Sequence, residues 1–234
     1  MNDSMKFRAS AATFERLLTT GPVIQAVNFH STPRAREAGY QAQIERLSRS
    51  FSSVSEDELD NYLATGQWHK PKPGVIIAIY EGYRNGYDVL MPILERYGLV
   101  GWFFIITGFV KSPAAAQLAF AMEHDIGMAT RDYVDGRYAL NSEELRLIDR
   151  RHVIACHTRS HISLAPLSDA DRESEVLGAQ NDLTEVLGHS VRSFASYGGP
   201  PYGEHPPTDR LIDRAKFQFL FSNLKIQRLR SREV

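Results

Sequence analysis

Cysteine is almost absent from this chain of 234 residues, with Cys156 as the single example. An intrachain disulfide is therefore excluded, and nothing argues for an oxidising compartment. Long apolar runs are missing as well. The longest, LVGWFFIITGFV, is too short and too punctuated to span a bilayer. The N-terminal MNDSMKFRASAATFERLL lacks the continuous apolar core of a signal peptide. Net charge is −1, so no overall field draws the chain to nucleic acid or an anionic membrane. The basic run from Lys225 to Arg232 reads as a solvated or frayed terminus. A cytoplasmic protein with no nucleic-acid or membrane partner is the expectation.

What remains is ordinary globular material, 43% hydrophobic and 24% charged, over a length that suits one domain with a full core. Short apolar runs alternate with amphipathic stretches. PVIQAVNF (Pro22 to Phe29) predicts a first strand, and Tyr40, Ile44, Leu47 and Phe51 form one helical stripe between Arg34 and Phe51. Ser55 with Glu58 is a capping-box signature. GVIIAIY is a second strand, apolar on both faces, followed by a helix from about Asp88 to Tyr97 that Gly98 closes.

GWFFIIT, HVIAC, VRSFA and FQFLF supply four further strands. Between them helices are expected over Ala114 to Glu123, Ser142 to Arg151, Ser168 to Leu187 with Gly188 as its stop, and Thr208 to Ala215. Such alternation implies a parallel sheet, open or closed into a barrel, with ligands at the C-terminal strand ends. The polar residues His30, Tyr80, Glu81 and His157 stand there, as does the run after Phe194.

HTRSH, His157 to His161, directly follows a strand. A helical turn would put both imidazoles on one face, where they suit Zn, Fe, Co or Ni. Spacing alone is weak, because 8 His in 234 residues give roughly a quarter of one such pair by chance. Two surface histidines are the bland alternative. Glu81, at another strand end, shares a rim with the pair if the strands are parallel. Two His and one carboxylate leave coordination positions open, the layout of a catalytic metal site. The bland alternative for Glu81 is a solvated or helix-capping loop residue. WFF (Trp102 to Phe104) reads as core, and Cys156 as buried packing on the face opposite His157.

Three blocks together resemble the polysaccharide deacetylases that share the NodB homology domain, carbohydrate esterase family 4. AIYEGY (Ala78 to Tyr83) is similar to the family's Thr-Phe-Asp-Asp-Gly-Tyr, HTRSH to its His-Ser/Thr-x-x-His, and GPPYG (Gly199 to Gly203) to its Arg-Pro-Pro-Tyr-Gly. VNFHSTP upstream resembles the Tyr-His turn of the deacetylases that act on poly-glucosamine. The resemblance implies a distorted (β/α)7 barrel over residues 1–234, with a NodB-like core at 74–223 and an N-terminal strand and helices at 1–70. It implies removal of an N- or O-acyl group from a carbohydrate or related small molecule. It further implies that Glu81, His157 and His161 hold a divalent transition metal, zinc first, with Co, Ni or Fe as alternatives. The Tyr202 amide would face the oxyanion.

Two departures stand out. Tyr80 takes the place of the base aspartate, and Gly199 that of the arginine that holds it. The family's late Leu-x-His acid has no match. His30 is the candidate proton carrier, while Glu204 and His205 read as loop residues and Arg192 as a substitute arginine. FASYGG (Phe194 to Gly199) is an alternative third block, which would hand the oxyanion role to the region of Tyr197. The departures also support a catalytically impaired homologue that binds a carbohydrate or a partner. A weaker third reading is a barrel hydrolase acting on a non-carbohydrate C–N bond.

Overall fold

Strands form where the apolar runs lie. A computed structural model describes residues 21–128 and 132–229. The sequence expectations for residues 1–20, and for the end of the basic run at 230–232, lie outside them. The strands are β1 (Ile24–Phe29), β2 (Ser52–Ser53), β3 (Gly74–Ile79), β4 (Gly101–Ile105), β5 (Val153–Cys156), β6 (Ser193–Ala195), β7 (Phe219–Phe221) and β8 (Ile226–Arg228). All belong to one sheet in the order β1-β3-β4-β5-β6-β7-β8, with β2 paired beside β3. Every pairing is parallel except β7 with β8. Among the described residues no ladder joins β8 to β1, so the distorted barrel is an open, half-barrel sheet.

The two-residue period of a strand sorts side chains between two layers. Val75, Ile77 and Ile79 of β3 face the helices with Phe103, Leu94, Ile148 and Leu183. Ile76 and Ala78 point into the curve of the sheet, against Trp102, Phe104, Ala155, Phe219 and Phe221. Because β3 is buried on both faces it has no polar position to offer solvent, and its chemistry begins only where the strand stops. Trp102, Phe103 and Phe104 are core, as expected. So is Cys156, which packs in the helix-side layer.

The caps follow the local chemistry. The Ser55 hydroxyl accepts from Glu58 N while the Glu58 carboxylate accepts from Ser55 N, which starts helix Glu56–Thr65. Gly188, at φ 82°, ends helix Ala179–Leu187.

Elsewhere the structure departs from the periodicity. The expected helix at Asp88 begins earlier, as a π turn over Gly86–Leu90 that passes into helix Met91–Arg96. The expected helix from Ser168 is broken into Asp169–Glu173, a π turn over Ser174–Gly178, and Ala179–Leu187. Thr107, expected at the end of a strand, starts helix Thr107–Lys111. β2 and β8 were not foreseen, because short strands rich in polar residues leave no hydrophobic alternation to read. Among the described residues, no helix is long and apolar enough to cross a membrane.

Candidate metal centre

The C-terminal ends of β1, β3, β5, β6 and β7 border one open cavity of about 670 Å³, lined among others by His30, Tyr80, Glu81, Asp125, His157 and His161. At the end of β3, Tyr80 keeps the strand register: its N–H donates to Phe29 O (2.9 Å), and its ring continues the inner layer, stacked 4.7 Å from Phe104. Glu81 then breaks the register. It adopts φ 72° and Gly82 follows at φ 82°, so two successive left-handed residues swing the carboxylate onto the rim. Glycine takes that conformation freely, whereas glutamate holds it under strain. Glu81 is 3% exposed.

The histidines are not on a helical turn. HTRSH runs as an irregular loop with Thr158 at φ 65° and His161 at φ 54°, and this bent path brings the two rings to 5.1 Å. His157 Nδ1 lies 2.8 Å from Ala195 O, and His161 Nδ1 lies 2.9 Å from His124 O. A carbonyl can only accept, so each Nδ1 carries the proton and donates it. A ring that donates through Nδ1 has, in its neutral form, a bare Nε2. Burial pushes the His157 imidazole down to about 3, which keeps that ring neutral. One ligand atom from each of Glu81, His157 and His161 lies within 4.8 Å of the other two, and all three residues are buried. Imidazole nitrogens oriented through the opposite N–H, plus one carboxylate, form a donor set that fits a zinc-like ion.

Around this trio the expected residues divide. The His30 Nδ1–H donates to both Glu81 oxygens, at 2.8 and 2.9 Å, and its side chain is 62% exposed at the mouth. That contact holds the His30 imidazole above its ordinary value. The Tyr80 ring sits 5.1 Å from His157. Burial, and secondarily the Glu81 charge, push the Tyr80 phenol up to about 12.

Tyr202 does not reach the cavity. Its N–H donates to Gln227 Oε1 (2.9 Å) and its hydroxyl to Asp213 (2.8 Å), which ties it to the outer helix layer. Ser196, Tyr197 and Gly198 line the cavity instead, directly after β6. Among the described residues, neither the Tyr197 nor the Gly198 N–H is engaged in a hydrogen bond. His205 caps the following helix by accepting from Thr208 N, and Glu204 is exposed.

Among the described residues, no arginine lines the cavity in place of the one missing at position 199. A Cβ on Gly199 would lie 1.7 Å from Ser196 Oγ, so a side chain here would force Ser196 to move. Arg192 lies before β6, at the opposite strand end, and pairs with Asp57 at 2.6 Å.

Asp125 was missed by sequence reasoning. It lines the cavity and accepts from the Tyr197 hydroxyl at 3.2 Å. No strand precedes it, so the strand-end signal that exposed the other residues was absent.

A family model described as polysaccharide deacetylase matches residues 69–217. No curated protein matches at the level of sequence. Among solved structures, the Streptococcus pyogenes deacetylase PplD in complex with acetate superposes with a TM-score of 0.61 at 16% identity, covering 83% of this chain and 80% of its own. IcaB from Ammonifex degensii gives 0.60 at 19% identity, over 87% and 84%. The de-N-acetylase from Aggregatibacter actinomycetemcomitans gives 0.61 at 13%, over 88% and 90%. At such identities these three speak for the fold. The family match itself spans the Glu81 turn, the HTRSH loop and the strands between them, and the chain belongs to the polysaccharide deacetylase family.

Proposed function

We propose that this chain is a metal-dependent hydrolase that removes an N- or O-acyl group from a carbohydrate or a related small amide. The observation that carries the reading is the approach of Glu81, His157 and His161 to within 4.8 Å, with both imidazoles oriented through Nδ1. Glu81 and the two Nε2 atoms would hold a divalent transition ion, zinc before cobalt, nickel or iron. When bound, the ion supplies a water of lowered pKa and a polarised acyl carbonyl.

The chain's own residues would do the rest. The Tyr80 ring walls the cavity beside His157 and keeps bulk water from its inner side. The Tyr197 and Gly198 N–H groups would donate to the oxygen on which negative charge develops, a role the Tyr202 amide cannot take while bonded to Gln227. His30, hydrogen-bonded to Glu81 and open to solvent, would carry the proton to the departing amine or alcohol.

A second reading is favoured by one observation. Tyr80, a phenol stacked on Phe104, holds the position where the resemblance expects the base carboxylate. On that reading the cavity binds a sugar and turns nothing over.

The test combines metal content with acetate release from N-acetylglucosamine oligomers and chromogenic acetyl esters. About one transition ion per chain, with release abolished in Glu81→Ala, supports the hydrolase. Binding of sugar without release, together with release gained in Tyr80→Asp, supports the silent binder. Protein purified without chelator that holds no transition ion, and takes none up from added zinc, refutes both the metal site and the hydrolase built on it.

A further inference from the structure

The HTRSH loop is conformationally costly. Thr158 is β-branched and His161 is bulky, yet both occupy the left-handed region, which such side chains rarely adopt. Something outside the loop must over-determine this path. Two groups of contacts do so. From one side, the first N–H groups of helix Thr107–Lys111 reach the loop: Thr107 N donates to Thr158 O (3.2 Å) and Gly108 N to Arg159 O (2.8 Å). From the other side comes Glu175. A single oxygen, Oε2, accepts from Arg159 N at 3.0 Å and from Ser160 N at 2.8 Å. Both N–H groups lie between the two histidines.

Glu175 is 5% exposed and stands in the π turn Ser174–Gly178 that interrupts the long helix. Such single-turn insertions recur at functional sites. Here the turn has a local reason. The Arg159 side chain lies across the helix, with Nη1 donating to Ser174 Oγ (2.8 Å) and Nε to Asp182 Oδ2 (3.1 Å). A Cβ on Gly178 would come within 2.5 Å of that guanidinium. The helix thus gives way to the loop's arginine and presents a buried carboxylate to the loop's backbone.

We infer that Glu175 is the positioning residue of the HTRSH loop: its buried carboxylate gathers the Arg159 and Ser160 N–H groups and so holds His157 and His161 in the arrangement that faces Glu81. The inference deepens the metal reading above and rests on it for its affinity prediction. Its structural half stands without any metal. The hydrogen bonds of the Glu175 carboxylate go to the loop backbone and not to either ligand ring, so it acts through the loop.

The test compares wild-type protein with Glu175→Ala, Glu175→Gln and, as a control, Leu183→Ala, a buried truncation in the same helical stretch whose apolar side chain offers the loop no hydrogen bond. Zn²⁺ affinity is measured by competition with a chromophoric chelator, and amide hydrogen exchange is followed in metal-free protein. Glu175→Ala is expected to weaken Zn²⁺ binding about 10–100-fold, the usual range for residues that orient a ligand. It should also speed exchange at Arg159 and Ser160 while β3 and β4 amides stay protected. Glu175→Gln keeps an acceptor oxygen and should recover most of the affinity. Leu183→Ala should lower the melting temperature and leave Zn²⁺ affinity unchanged.

If Glu175→Ala does not fold, Glu175→Asp, one methylene short of the loop, replaces it in the same comparison. Zn²⁺ affinity within twofold of wild type in a folded Ala or Asp variant overturns the inference. So does a loss of affinity that Leu183→Ala reproduces. If the wild-type protein binds no Zn²⁺, the metal reading fails by itself. The exchange rates at Arg159 and Ser160 then decide the positioning role: unchanged rates overturn it, and faster rates uphold it.

Discussion

Gly108→Ala tests how tightly the loop of the candidate metal centre is packed against its neighbours. A Cβ at this position would lie 2.5 Å from Arg159 O, which is backbone, and 2.9 Å from Phe120 Cζ. Neither neighbour yields cheaply: the carbonyl belongs to the strained loop, and Phe120 stacks on buried Phe109 at 6.1 Å. Forcing a methyl into such a space costs roughly 1–3 kcal/mol. Lengthening the Gly108 N–H to Arg159 O bond removes about 0.5–1.5 kcal/mol more. Against this stands the helix preference of alanine over glycine, at most about 1 kcal/mol. The clash wins, and a net destabilisation of about 0.5–3.5 kcal/mol is expected.

Gly178→Ala makes the informative contrast, because the nearest atoms its Cβ would meet belong to the Arg159 side chain and not to backbone. There the alanine gain of about 1 kcal/mol stands against the two Arg159 bonds to Ser174 and Asp182, at about 0.5–1.5 kcal/mol each, so a loss of no more than about 2 kcal/mol is expected. Urea unfolding with a common m value reads both variants. Gly108→Ala as stable as wild type, with Gly178→Ala the weaker of the two, would refute the packing described for this loop.

Three further outcomes are expected. Phe104→Ala removes a fully buried ring that stacks on Tyr80 and meets Phe221 edge-on; urea unfolding should show a loss of about 3–5 kcal/mol. Cys156 has no exposed surface, so labelling by a thiol reagent should proceed at the rate of unfolding and accelerate with denaturant; rapid stoichiometric labelling of native protein would contradict its place in the helix-side layer. The Asp149 carboxylate accepts from the His189 ring at 2.8 Å and holds the imidazole above its ordinary value. The pair's contribution is therefore complete below about pH 6.5 and is lost as pH rises through the raised folded-state value. Solvent screening holds it below about 1 kcal/mol, which Asp149→Asn should remove at pH 5.5 and leave untouched at pH 9.

Much of this centre was readable without coordinates. Glu81 and His157 betray themselves by chemistry that no buried strand tolerates, placed one or two residues past an apolar run. Ser55 with Glu58 announces a helix start because both halves of the hydrogen-bonded box lie in one local segment. The third block was harder, since Gly199-Pro200-Pro201-Tyr202-Gly203 matches the family motif better than Ser196-Tyr197-Gly198, yet the latter lies at the strand end. A motif records residue types, whereas the cavity selects by distance from β6. Asp125 and Glu175 carried no local signal at all, being a loop aspartate and one glutamate in a helical stretch rich in acid.

The division has a physical reason. Local sequence determines what a segment can do by itself: alternate apolar faces, cap a helix, end a strand on an imidazole or a carboxylate. By those means the amino-acid order alone settled a parallel α/β sheet and the three residue types that meet at its rim. Only the tertiary structure decided how they meet. Which imidazole nitrogen faces inward depends on the carbonyls of Ala195 and His124. The loop's strained path depends on partners from Thr107 and Glu175. Those bonds join residues at least 15 positions apart, and no local pattern encodes the distance between them.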